Sequence, residues 1–181
     1  MENELGNILL RMESSRTRIL DSALELLGRA GAGALTVRAV EDAARLPHGS
    51  VRHHFGDRDG LVRALFDHLG DRDVPVAVSD RDSPTKAVAA ALRHWLGPGR
   101  TVTLARYELF LMAARDPALR PPLVRARERF VALAARRVGP ETAPALVAAL
   151  DGLVLDALVR GEHDPAVLGA AVARITSPSS A

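Results

Sequence analysis

Three histidines fall within seven residues, His48, His53 and His54, and they share that stretch with Ser50 and Arg52. Such a set suits two chemistries: coordination of a metal ion, or hydrogen bonding through imidazole, hydroxyl and guanidinium groups. A helical metal pair calls for histidines at i and i+4, but His48 and His53 are five apart, and the adjacent His53 and His54 point apart. The chain has no cysteine, which also removes thiolate sites, disulfides and cysteine nucleophiles. No metal and no cofactor is expected. Hydrogen bonding is left. On a helix turning about 100° per residue, Val51 and Phe55 share one face, while Gly49 and His53 lie opposite, flanked by Ser50 and Arg52. A polar face with a glycine for close backbone approach suits the major groove of DNA. A plain solvated face is the alternative.

A helix this short cannot stand alone and needs partners to hold it. The residues before it supply two candidates. The first helix is predicted over Ser15–Ala30, with Ile19, Ala23, Leu26, Leu27 and Ala30 on one face, and Gly31 and Gly33 as its stop. Leu5, Ile8, Leu9 and Met12 could form a short leading stripe or a frayed extension, and Met12 could be the natural start. Thr36 stands where an N-cap belongs, ahead of Val37, Val40 and Ala44 at helical spacing. Pro47 suits the first position of the third helix, and Asp57 can cap a fourth that carries Leu61, Leu65, Phe66 and Leu69.

The run from Thr36 through Arg38, Ala44-Arg45-Leu46-Pro47-His48-Gly49-Ser50-Val51-Arg52-His53-His54-Phe55 and on to Arg58 and Leu61 resembles the TetR (tetracycline-repressor-like) family. The likeness covers about 16–65, with cap, turn, Gly-Ser pair, His-Phe pair and following basic residue in register. It implies a transcription regulator, most simply a repressor, that binds palindromic operator DNA as a dimer and is released by a small effector. Thr36 and Arg38 would meet phosphate or base from the second helix. His48, Gly49 and Ser50 would enter the groove at the start of the third. Arg52 and His53 would contact bases or backbone, and His54 and Arg58 would bind phosphate. Four positions depart from the family pattern: Arg45 replaces the usual turn glycine, Pro47 a capping serine, and Arg52 with His53 the usual aromatic pair. These changes point to an altered operator preference or to a degenerate DNA-binding domain.

The remainder reads as helical too. An all-α chain is expected, with about nine helices. It would comprise an extension at 1–13, a helix-turn-helix domain with connecting helix at 14–69, an Asp-, Pro- and Ser-rich linker at 70–83, an effector-binding and dimerisation bundle at 84–176, and a disordered tail at 177–181. Helices are predicted near 84–96, 100–114, 118–138, 142–160 and 165–175. His94, Trp95, Tyr107, Glu108, Phe110 and Leu111 are candidates to line an apolar effector pocket; core filling explains them equally well. In the helix near 142–160, Leu146, Leu150, Leu153 and Ala157 make one core stripe. Ala145, Ala148, Gly152, Leu155 and Val159 lie on another side and, with Leu168 and Val172, are candidates for a homodimer interface. Intrachain burial of both sides is the alternative.

Composition narrows the field without deciding it. Charge is nearly balanced, with 24 basic and 22 acidic residues, so DNA binding is permitted rather than demanded. No apolar run reaches the length of a membrane span, and no signal peptide is evident, which points to a cytoplasmic protein with no membrane partner. A small helical enzyme is the other class to weigh. Glu108, His94 and Asp151 could act as acids or bases, but no nucleophile, phosphate loop or metal motif gathers them. No catalytic residue is assigned.

Overall fold

The computed structural model describes residues 2–77, 84–161 and 164–176, with side chains over 15–72 and 86–161 and at intervals beyond. Those residues form nine α-helices and two short 3₁₀ turns, with no strand among them: α1 (Glu2–Ala30), α2 (Val37–Ala44), α3 (Ser50–Phe55), α4 (Arg58–Ala77), α5 (Pro84–Leu96), α6 (Arg100–Arg115), α7 (Arg120–Val138), α8 (Ala143–Arg160) and α9 (Pro165–Thr176). The expected all-α architecture is met, and the bounds of α5 to α9 fall within two residues of those read from the sequence.

Two compact units divide the chain. One holds the residues up to His68 together with Leu104–Pro122; the other holds Leu69–Thr103 and the residues from Leu123 onward. One division falls between His68 and Leu69, and the segment 104–122, expected in the C-terminal bundle, groups with the helix-turn-helix. Glu108 shows why: its carboxylate accepts from the backbone N–H of Ala32 at 3.3 Å, at the turn between α1 and α2.

In the first unit Ile19, Leu20, Ala23, Leu24 and Leu27 of α1 are fully buried with Val40, Val51, Leu61, Leu65 and Phe66. The α1 stripe is therefore rotated toward Leu20 and Leu24; Leu26 is half-buried and Ala30 exposed. The helix also begins at Glu2, so 2–13 continue into it; the side chains of Leu5, Ile8, Leu9 and Met12 lie outside the described residues. Thr36 caps α2 by accepting from Ala39 N–H at 3.2 Å, and Asp57 caps α4 by accepting from Gly60 N–H at 2.7 Å, both as expected.

In the second unit α4 continues through Ala77, so the first half of the expected linker is helical; 78–83 and the tail 177–181 lie outside the described residues. Composition misleads here because tertiary contacts favour the helix: Leu69 is buried, and Asp71 pairs with Arg129 of α7 at 3.7 Å. On α8, Leu146, Val147, Leu150, Val154, Ala157 and Leu158 form the buried face. Of the expected core stripe only Leu153 is half-buried.

Candidate nucleic-acid interface

Helix α3 is shorter than its sequence suggested. It starts at Ser50, not Pro47, because Gly49 stands at its N-cap with φ 92°, a left-handed geometry that favours glycine. Pro47 instead closes the turn: its carbonyl accepts from Ser50 N–H at 3.2 Å and from the Ser50 hydroxyl at 2.6 Å. With its proton spent on that carbonyl, the Ser50 oxygen keeps only lone pairs to offer outward, and it suits donor groups on base edges.

Val51 is wholly buried and pins one side of α3. Phe55 is half-buried, with the Arg16 guanidinium 5.2 Å from its ring centroid. On the other side His48, Gly49, Arg52 and His53 are exposed, as are Thr36 and Arg38 at the start of α2. The exposed set is thus basic and rich in hydrogen-bond donors. Arg38 keeps its freedom, since Asp42 stands 4.0 Å away and both are well exposed.

Two expected contacts have other duties. Arg58 is half-buried; its Nε donates to the Leu35 carbonyl at 2.8 Å and its Nη2 to the Ala32 carbonyl at 3.4 Å. These bonds tie α4 to the turn before α2. His54 is half-buried, edge-on to His53 with ring centroids 5.0 Å apart. Burial, then the nearby His53 and Arg16 charges, lower its pKa below the ordinary histidine value of 6.5. This environment favours the neutral imidazole over the charged one.

The residue that sequence reasoning missed is Glu41. Its carboxylate is buried and accepts from Gly49 N–H and Val51 N–H, each at 3.0 Å, with His48 Nδ1 at 3.4 Å. A signal existed: Val37, Glu41 and Ala44 share one helical face, and a charge on a stripe that buries must find donors.

The second unit contains an apolar pocket. Ala87, Val88, Ala91 and Trp95 of α5, Phe130, Leu133, Ala134, Arg137 and Val138 of α7, and Leu146 with Leu150 of α8 line about 530 Å³ of empty space, counting its open mouth. Trp95 and Phe130 face each other at 6.0 Å between ring centroids, and Arg137 is the one charged residue of the lining. Of the six expected pocket residues only Trp95 lies here. His94 sits against Gly99 at the end of α5, Glu108 caps the turn at Ala32, Tyr107 and Phe110 pair edge-on at 6.0 Å, and Leu111 is 49% exposed. The reason is rotational: α7, not α6, supplies the facing wall, and no aromatic cluster in α7 advertises it.

The expected interface residues Ala145, Ala148, Gly152, Leu155 and Val159 all lie exposed on one side of α8. Val172 does not join them. It is 3% exposed, buried in its own unit by the short helix folding back, and this corrects its assignment. The Leu168 side chain lies outside the described residues.

A helix-turn-helix with a basic outer face, followed by a helical bundle with an apolar pocket, defines a class of DNA-binding regulators. Residues 19–65 match the family described as bacterial regulatory proteins, tetR family, and residues 79–178 match the tetracyclin repressor-like C-terminal domain. The chain belongs to the TetR family of transcription regulators, which are not enzymes. Among solved structures it resembles a TetR-family member from Streptomyces coelicolor A3, with 35% identity, a TM-score of 0.78, and coverage of 91% of this chain and 99% of that one. The multidrug binding protein EbrR complexed with ethidium is similar at 34% identity and a TM-score of 0.75, covering 91% and 99%. Among curated proteins, the regulator BetI of Burkholderia mallei is 29% identical over 83% of this chain and 85% of its own length. A repressor from Mycobacterium tuberculosis is 34% identical over 83 residues, a match spanning 45% of this chain and 43% of that relative's length. No single helix among the described residues is long and apolar enough to cross a membrane.

Proposed function

We propose that the protein is a cytoplasmic, dimeric repressor that reads a palindromic operator with α3 and leaves it when a small, largely apolar effector enters the α5–α7–α8 pocket. One observation carries the DNA-reading half: Val51 is wholly buried while its neighbours Arg52 and His53 are exposed, so α3 is held by one face and offers the other. Arg52 would pair with guanine, and His53 with a base edge or phosphate. Thr36, Arg38 and His48 flank them, and Gly49 permits close approach. Arg45, left-handed as a glycine would be, leaves the turn intact, which favours altered operator preference over decay.

Dimerisation is supported by the exposed row on α8, where Gly152 has open space around it and Leu155 and Val159 are 45% and 78% exposed. Apolar side chains in one row on a solvent face favour a second copy of the chain, and paired half-sites call for one. The effector half is supported by the pocket's apolar lining and by EbrR, which is described as multidrug binding. Arg52→Ala with His53→Ala tests the reading. Fluorescence anisotropy on duplexes that the wild type selects from a randomised pool should show about a tenfold or greater loss of affinity with an unchanged melting temperature. Unchanged affinity removes α3 from DNA recognition.

A further inference from the structure

Helix α3 has six residues and no side-chain cap of its own. Its free amides are nevertheless not left to water. The Glu41 Oε1 accepts from both Gly49 and Val51 N–H at 3.0 Å, and Oε2 faces Nδ1 of His48 at 3.4 Å. This carboxylate comes from the middle of α2, its side chain is 3% exposed, and it meets α3 at the turn where Pro47 has no hydroxyl to give. Bonds from amides to an ionised acceptor are the strong kind, and two on one oxygen set a direction as well as a distance. Val51 and Phe55 hold α3 by one face through apolar packing, which is not directional. The Glu41 bonds supply the direction.

We infer that Glu41 is a positioning residue for DNA recognition, which sets the rotation of α3 and thereby decides that Arg52 and His53 face the groove. The inference rests on α3 being the reading helix. Two consequences separate it from a plain stabilising role. First, Glu41 occupies the amides of Gly49 and Val51, so operator phosphate cannot take them, and recognition falls to side chains. Second, its buried negative charge lies close to where the polyanion docks and weakens binding to every duplex alike, without affecting the choice among them.

The test compares affinity for a duplex selected by the wild-type protein with affinity for a scrambled duplex, using the full chain at one salt concentration. Glu41→Ala should cut the ratio of the two about tenfold or more while binding to scrambled DNA holds or rises. Glu41→Gln retains an acceptor oxygen without the charge; it should keep most of the ratio and bind both duplexes more tightly. Glu41→Asp keeps the charge but falls short of the two amides, and should lose the ratio as Ala does, which serves where the Ala variant does not fold. A Glu41→Ala or Glu41→Asp chain that is folded and keeps the wild-type ratio overturns the assignment. So does Glu41→Gln losing as much as Ala. A wild type that selects no duplex defeats the reading of α3 itself, and this inference with it.

Discussion

Arg18 of α1 donates from Nη2 to the carbonyl of Ala44 at 2.5 Å and reaches the Arg45 carbonyl at 3.3 Å. The end of α2 is thereby closed by a side chain from another helix, at the residue where the backbone turns left-handed with φ 52° and ψ 48°. Arginine in that conformation costs about 1–2 kcal/mol, and the bonds from Arg18 help offset it. Arg45→Gly should relieve the strain, less about 0.4–1 kcal/mol for the looser unfolded chain, a net gain of up to about 1.6 kcal/mol. Arg18→Ala should lose about 1–2 kcal/mol by leaving the two carbonyls to water. Urea denaturation of both variants measures the pair, and a destabilised Arg45→Gly contradicts the account.

His54 makes the first unit sensitive to acid. Its pKa is lowered in the folded chain, so the unfolded chain binds a proton more readily below the ordinary value of 6.5. Stability is unaffected at higher pH and declines as pH falls through 6.5 toward the folded value. His54→Gln should flatten the fall in melting temperature between about pH 7.5 and about pH 5. Since the folded environment favours the neutral imidazole, the same variant should leave the salt dependence of DNA binding nearly unchanged at about pH 7.

The exposed row on α8 predicts a subunit contact. Leu155→Glu with Val159→Glu replaces two exposed side chains and should leave the fold and its melting temperature nearly unchanged in the separated chain. Sedimentation velocity should shift from dimer to monomer, and affinity for a palindromic duplex should fall at least about a hundredfold as the second half-site is lost. A variant that remains dimeric moves the interface off α8.

Pocket occupancy can be followed through the sole tryptophan, which lies in the lining. An anionic aromatic probe such as anilinonaphthalene sulfonate suits ten apolar residues and Arg137, and should quench Trp95 fluorescence. Ala134→Trp would fill the cavity and weaken that binding about tenfold or more, with affinity for operator DNA intact. Arg137→Glu should favour a cationic aromatic dye over the anionic probe. Equal probe affinity in all three chains would place the ligand elsewhere.

Much of the first unit was legible because local chemistry dictates it. Thr36 and Asp57 cap their helices through neighbours three residues away, a spacing visible in any sequence. Val51 opposite Gly49 and His53 follows from helical period alone. The intrachain partners of Arg58 were hidden for the opposite reason. A cation at a helix start suggests an external anion, yet its partners are carbonyls 23 and 26 residues earlier, which no local pattern discloses.

The sequence by itself determined the helices, their order, the family and the face that α3 turns outward, since caps, period and proline placement act over a few residues. Tertiary structure alone decided how those helices are rotated against one another. It placed Glu41 under α3, gave Glu108 to the turn at Ala32, chose α7 as the pocket's facing wall and separated exposed Val159 from buried Val172. Helical period shows which residues share a face. Which neighbour that face meets depends on packing between segments far apart in the chain, and packing is a property of the folded whole.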